Sequence, residues 1–215
     1  VEGLRQVGVR RGAGHQEGRR HFSVSLAGGD AKTKFLVSGS WNDQKGIILS
    51  NRLDRANGRV NLDHTLNSRI RFGMNLSMTK SRNYRVSSDN AFTNPLQLNA
   101  LPPLHPLRGT DGEYNSATLY YNNLIDQKGA FNVNTTYRSI SNAYAELTLT
   151  PDIMFRSQIG LDWNNLQEEQ FLGKETLDGA PTGNSFNNQV TATIVTATNT
   201  LNFKKSIGDN HNIDG

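Results

Sequence analysis

From Arg69 to Thr79 apolar and polar positions alternate without a break. Ile70, Phe72, Met74, Leu76 and Met78 take one side; Arg69, Arg71, Gly73, Asn75, Ser77 and Thr79 take the other. A period of two held over eleven residues predicts a β-strand with one greasy and one wet face. The stretch before it repeats the pattern, with Val60, Leu62, His64 and Leu66 against Arg59, Asn61, Asp63 and Thr65, and Asn67-Ser68 as the tight turn. A long hairpin is therefore expected over 58–79. Similar alternation predicts strands at about 21–27 (Phe22, Val24, Leu26), 34–43 (Phe35, Val37, Gly39, Trp41), 131–150 (Val133, Thr135, Tyr137, Ala143, Ala145, Leu147, Leu149) and 153–163 (Ile153, Phe155, Ile159, Leu161, Trp163). A Thr-rich strand at 188–204 and the start of another at 211–215 complete the set.

The connections alternate in length. Short turns are expected at 28–33, 67–68, 151–152 and 205–209, and long loops at about 44–57, 81–130 and 164–187. Strands joined in this way run up and down, with every short turn at one end and every long loop at the other. That is the asymmetry of outer-membrane barrels, whose periplasmic turns are short and whose external loops are long. All six prolines fall outside the expected strands, as a paired ladder requires. Trp41 and Trp163 lie toward the long loops on the apolar face, while Phe35, Phe72, Phe155 and Phe203 lie toward the short turns. Two aromatic girdles flanking an apolar band fit a membrane wall. A soluble sandwich would gather its rings mid-strand. The predicted class is all-β: antiparallel, up-and-down strands forming part of a large transmembrane β-barrel.

Composition agrees with a wall that lines a wet interior. Only 35 % of the residues are hydrophobic, and Asn occurs 25 times, which makes a thin soluble core. The longest aliphatic run is Ile47-Ile48-Leu49, so no membrane helix is expected, which leaves membrane strands open. Cysteine is absent, which removes disulfides and thiolate metal sites. The net charge of +4 is concentrated in residues 1–20, which hold five Arg against two Glu. This N-terminus shows no period and is expected to be irregular or mistranslated. Beyond it no basic clustering points to nucleic acid. Without Met at its start, the chain reads as a piece of a longer protein.

Candidate chemistry is sparse. The histidines His15, His21, His64, His105 and His211 have no metal-ligand spacing, no cofactor motif is present, and no Ser sits in a nucleophile elbow, so an enzyme is not expected. Arg59, Asp63, Arg71, Glu146, Arg156 and Asp162 share the polar face and are the candidate lumen-facing residues, either as a structural charge ladder or as a substrate path. In the longest loop Tyr114, Tyr120 and Tyr121, with Phe92, are candidate rings for stacking on a sugar or packing on a partner. An outer-membrane channel or adhesin barrel, and a soluble carbohydrate-binding β protein, remain as alternatives at this point.

Several ordered stretches resemble one family. Val37-Ser38-Gly39-Ser40-Trp41, Gly46, Arg55, Arg59 and Asn61-Leu62-Asp63 are similar to a run found in SusC/RagA-type TonB-dependent outer-membrane transporters. Ser23–Gly29, Asn142-Ala143-Tyr144, Phe155-Arg156-Ser157 with Gly160, and Thr200–Phe203 followed by His211-Asn212 extend the resemblance over about 21–215. Trp41 stands where Tyr is commoner, and residues 1–20 do not match. The resemblance implies a parent barrel of about 22 strands with a plugged lumen. It further implies import of glycan or peptide nutrients (oligosaccharide or peptide substrates), a SusD-like lipoprotein partner over the long loops, and TonB acting on a plug domain that this chain lacks.

Overall fold

The computed structural model describes residues 4–13, 18–86, 93–207 and 211–215. Its strands are β1 (Leu4–Ala13), β2 (Arg19–Gly29), β3 (Thr33–Lys45), β4 (Arg52–Thr65), β5 (Ile70–Tyr84), β6 (Ala130–Thr150), β7 (Ile153–Leu172), β8 (Asn184–Ile207) and β9 (His211–Asp214). They form one sheet in sequence order, each strand antiparallel to the next. Among the described residues β1 and β9 are the edges, so the sheet is open. This is the expected up-and-down wall.

The register confirms the two faces. Met74 lies opposite Leu62 on β4 and Ala143 on β6, and Ala143 lies opposite Ile159 on β7. Phe155 sits between Leu147 and Leu201, and Phe72 contacts the His64 ring at 5.1 Å. Much of this face is exposed rather than packed: Met78 is 55 % accessible and Ile159 57 %, while Leu62 and Phe155 are half-buried. Among the described residues only Leu101, Ile125 and Val133 are buried apolar side chains, so there is no interior core for a sandwich. From Phe155 to Trp163 the belt runs about 26 Å along β7. At the usual tilt of about 40° that is about 20 Å along the normal, near the roughly 25 Å apolar band of such barrels.

The short connections are set by side chains that cap their own backbone. Asp30 Oδ1 accepts from the N–H groups of Lys32 (2.8 Å) and Thr33 (2.6 Å). Those N–H donors hold the Asp30 carboxyl below the usual carboxylate range. Asn67 Oδ1 does the same for Arg69 (2.8 Å) and Ile70 (2.9 Å), so the hairpin turn covers 66–69 rather than Asn67-Ser68 alone. Gly29 has φ +147°, and a Cβ there would lie 2.1 Å from the Thr33 carbonyl, so only glycine closes this turn.

Four expectations need correction. The stretch 1–20 is not irregular throughout: Leu4–Ala13 pairs with β2, because ladder bonds use the backbone and tolerate an Arg- and Gly-rich sequence. Residues 1–3 and 14–17, with His15, and the expected turn residues 208–209 lie outside the described residues, as does Phe92. The loop expected at 44–57 is only 46–51. The stretch expected at 81–130 shortens to 85–129 and carries short helical turns at Pro95–Ala100, Asn123–Ile125 and Asp126–Gly129. The loop expected at 164–187 shortens to 173–183. In each case the strands continue past the Trp girdle. Lys80, in the Trp41 row, and Asp43, Asp54 and Arg82, in the next row out, occupy the same face as Trp41 and Met78, and the apolar alternation fades while the pairing goes on.

Candidate functional site

Two assemblies carry the chemistry, one on the polar face and one on the long-connection end. On the polar face Asp63, Arg71, Glu146 and Arg156 converge beside the short turns. β4, β5, β6 and β7 place them there, because Asp63 lies opposite Gly73, Arg71 opposite Glu146, and Glu146 opposite Arg156. Arg156 Nη1 donates to Glu146 Oε1 at 2.7 Å. Arg71 reaches Asp63 at 3.7 Å and Glu146 at 3.8 Å, a looser pair of contacts. Tyr144 completes the cluster: its hydroxyl donates to Asp63 Oδ1, and the Arg156 guanidinium lies over its ring at 4.2 Å. The ring covers Gly73, where an added Cβ would sit 2.6 Å from Tyr144 Cε1. Tyr144 and Gly73 were not among the sequence candidates, because their pairing depends on the β5–β6 register, which the pattern of a single strand does not carry.

Higher on the same face Asp162 pairs with Arg138 through two bonds, Nε to Oδ1 at 3.1 Å and Nη2 to Oδ2 at 2.7 Å. Arg138 was also missed, since its partner lies on the neighbouring strand. Arg59 differs: among the described residues it has no carboxylate partner. It stands in a shallow hollow with Ser25, Ser38, Ser40, Asn57 and Ser77. Asn57 donates to Ser40 Oγ at 3.1 Å and accepts from Thr79 Oγ1 at 2.9 Å. Hydroxyls, amides and one uncompensated guanidinium make a surface that can exchange hydrogen bonds with a polar solute or a facing protein surface.

At the other end the connections interlock as a cap. Asn122 is 0 % exposed, and its Nδ2 donates to the carbonyls of Leu107 (3.0 Å) and Asn115 (3.1 Å). Asn123 Nδ2 donates to the Thr93 carbonyl, and Thr93 Oγ1 donates to Asp178 Oδ2 at 2.9 Å, which ties 85–129 to 173–183. Ser50 Oγ donates to Gln127 Oε1 at 2.7 Å and brings in the 46–51 connection.

The three loop tyrosines part company. Tyr121 donates to Asp126 Oδ1 at 2.6 Å and accepts from the Leu177 N–H, so it is a staple within the cap. Burial, then the neighbouring Asp126, pushes its hydroxyl pKa well above the ordinary value. Burial also raises the Asp126 carboxyl, partly offset by the bond from Tyr121. The Tyr114 ring contacts two cations, Arg108 at 4.2 Å and Lys128 at 5.7 Å. Tyr120 is exposed, as are Leu104, Leu119 and Leu177. Glu168 and Glu169, expected in a loop, lie in β7, and Glu168 accepts from Asn134 and Asn188 at 3.1 Å each. No cluster of metal-ligating side chains occurs among the described residues.

This geometry defines a class: the wall of an up-and-down β-barrel, with an apolar belt on one face, a polar opposite face and a looped cap at one end. No family model matches the sequence. The chain is similar to two TonB-dependent receptors of Formosa agariphila, P39 and P26. It is 24 % identical to P39 over 222 residues, covering 100 % of this chain and 20 % of that receptor. It is 25 % identical to P26 over 203 residues, covering 88 % and 20 %. The chain therefore spans about a fifth of the curated relatives it matches. Among solved structures, the RagAB peptide transporter superposes with a TM-score of 0.75 at 18 % identity, over 91 % of this chain and 23 % of that one. The ferric-catecholate import receptor Fiu of E. coli K12 gives a TM-score of 0.52 at 12 % identity, over 97 % and 32 %. In sequence the likeness is to TonB-dependent receptors and in fold to the RagAB transporter, in keeping with a wall in an outer membrane.

Proposed function

We propose that the chain forms wall of a TonB-dependent importer of oligosaccharides or peptides. In this reading the polar face is the lumen wall, and Arg59, Asp63, Arg71, Glu146, Arg156 and Asp162 face it. The tight cluster around Tyr144, next to the short periplasmic turns, then lies where a plug domain moved by TonB would rest. The hollow around Arg59 offers hydroxyls and a guanidinium to solutes passing above it. The cap lies outside the cell, under a SusD-like lipoprotein lid. The observation that carries this reading is the sidedness: capped short turns at one end, and at the other an interlocked cap that leaves Leu104, Leu119, Tyr120 and Leu177 exposed. Apolar and aromatic side chains on a fixed polar frame are the composition of a protein-binding surface.

The test uses the full-length receptor in its own cell. Uptake of labelled oligosaccharide and peptide pools is compared between the parent strain, a receptor deletion and a TonB deletion. Loss of uptake in both deletions is expected. The reading fails if uptake survives the loss of TonB. A lid predicts that Leu119→Asp with Leu177→Asp releases a co-purifying lipoprotein while the barrel stays assembled.

A further inference from the structure

The polar face is not balanced in charge from one side to the other. On β5, β6 and β7 the guanidiniums of Arg71, Arg138 and Arg156 are each held by a carboxylate. On β4, Arg55 stands on the same face as Arg59, four residues nearer the cap and about 13 Å away along the strand. Both are exposed, and among the described residues neither has a hydrogen bond, an ion pair or a ring contact. The register sets Arg55 beside Asn42 on β3, and Asn42 Oδ1 accepts from Arg19 Nε on β2 at 3.3 Å. Arg59, Arg55 and Arg19 therefore follow one another toward the cap. From Arg59 outward this face of β2–β5 carries no carboxylate among the described residues. Its positions are mostly Ser, Thr, Asn and Gln, with Ser38, Ser40, Asn57, Ser77 and Thr79 around Arg59. The carboxylates farther round the wall are occupied, Asp162 by Arg138 and Glu168 by Asn134 and Asn188.

We propose that Arg59, Arg55 and Arg19 form an anion track, and that the solute it takes is an oligosaccharide carrying carboxylate or sulfate groups. The proposal rests on the polar face being the lumen of an importer and narrows what that importer carries. Guanidiniums without a counter-charge on a concave wall raise the local concentration of anions. Each offers a planar fork that an anionic oxygen pair can match. The choice of a sugar over a peptide follows from the side chains around the arginines. Hydroxyls and amides both donate and accept, as sugar hydroxyls do. An acidic peptide also brings apolar side chains, and this face places none between Arg55 and Arg59, where Asn57 stands.

The experiment uses the full-length receptor and a pool of short neutral, carboxylated and sulfated oligosaccharides, with a pool of Asp- and Glu-rich peptides beside it. Retention by the purified receptor in detergent is read by native mass spectrometry, and uptake by the cell that carries it is read by depletion of the pools. The parent is expected to retain and take up acidic sugars ahead of neutral ones, with a preference that falls as salt rises; which acidic members are retained tells carboxylate from sulfate. Arg55→Gln and Arg59→Gln each lower retention of the acidic sugars about fivefold, near the upper end for an exposed ion pair, and together about twentyfold, with neutral sugars unchanged. Arg55→Lys with Arg59→Lys keeps the charge and most of the preference. Heat-modifiable migration on a gel reports that each variant is folded; should the double variant not fold, the singles carry the test. Equal handling of acidic and neutral sugars by the parent overturns the proposal. Equal loss of every sugar in the Gln variants would mean a contact within the protein, and acidic peptides retained ahead of acidic sugars would mean a peptide track; either also overturns it. A preference that stands in detergent while uptake survives the loss of TonB supports the track and refutes the importer. TonB-dependent uptake without the preference does the reverse.

Discussion

Replacing Gly73 with alanine tests the packing beside the short turns. The new Cβ would lie 2.6 Å from Tyr144 Cε1, 2.7 Å from Asp63 Oδ1 and 2.8 Å from the Leu62 carbonyl oxygen. The ring and the Asp63 side chain can move, but the backbone oxygen cannot move far. Tyr144 must therefore leave, losing its bond to a carboxylate, worth about 1.5–3 kcal/mol, and its contact under Arg156, worth about 0.5–1 kcal/mol where exposed. Water reaches this face and recovers part of the loss, so about 2 kcal/mol is expected for Gly73→Ala. Tyr144→Ala loses the same contacts. In the double variant no ring remains to expel, and the coupling between the two sites should be about 2 kcal/mol. The clash with Leu62 occurs in both arms of the cycle and cancels from the coupling. The measurement is urea unfolding of the full-length receptor in lipid bilayers, followed by tryptophan fluorescence. Additivity within about 0.5 kcal/mol would refute the account of a ring held by its glycine.

The remaining expectations are simpler. Leu76→Arg, on the lipid belt, should cost about 2–4 kcal/mol and slow insertion into vesicles, while Ser77→Arg, one residue on and facing away, should cost little; equal effects would refute the face assignment. Asn122→Ala strands buried carbonyls of the cap and should cost about 1–3 kcal/mol there, seen as faster proteolysis within 85–129 with barrel assembly unchanged. Asp126 titrates above its ordinary 3.8 because it is buried. The folded cap holds that proton more tightly than the unfolded chain, so its contribution is complete below about 3.8 and is lost as pH rises through the raised pKa. Asp126→Asn should flatten this slope in hydrogen exchange of the cap. Tyr121, also raised, keeps its proton past its ordinary 10.0, so the cap should loosen again in strong alkali, and Tyr121→Phe should remove that second loss.

What could be read from the sequence follows the solvent. Ile70 to Met78 and Ile153 to Trp163 announce their strands because lipid on one side and water on the other force a period of two. From the Trp41 row outward both faces are wet, and Lys80, Asp43, Arg52 and Arg82 give no period although their backbones stay paired. This is why every long connection was expected to be longer than it is. β1 was hidden by its Arg- and Gly-rich sequence. The six polar-face candidates were identified by alternation alone, but alternation could not tell which of them meet: the Asp63–Tyr144 and Arg138–Asp162 contacts depend on a register between strands that single-strand patterns do not carry. The cap around Asn122 depends on three separate connections and left no local trace.

The exposed belt has a consequence for how this chain drifts. A side chain such as Met74 or Ile159 has a liquid for a neighbour, and a liquid adjusts to whatever shape is presented to it. Exchanges among Leu, Ile, Val and Met there open no cavity and force no repacking, which is the usual penalty inside a soluble protein. Selection at those positions reads hydropathy and little else, while the backbone ladder keeps the strands in place. A chain built this way can share little sequence with another and keep the same outline, as the 18 % identity and 0.75 TM-score to the peptide transporter illustrate.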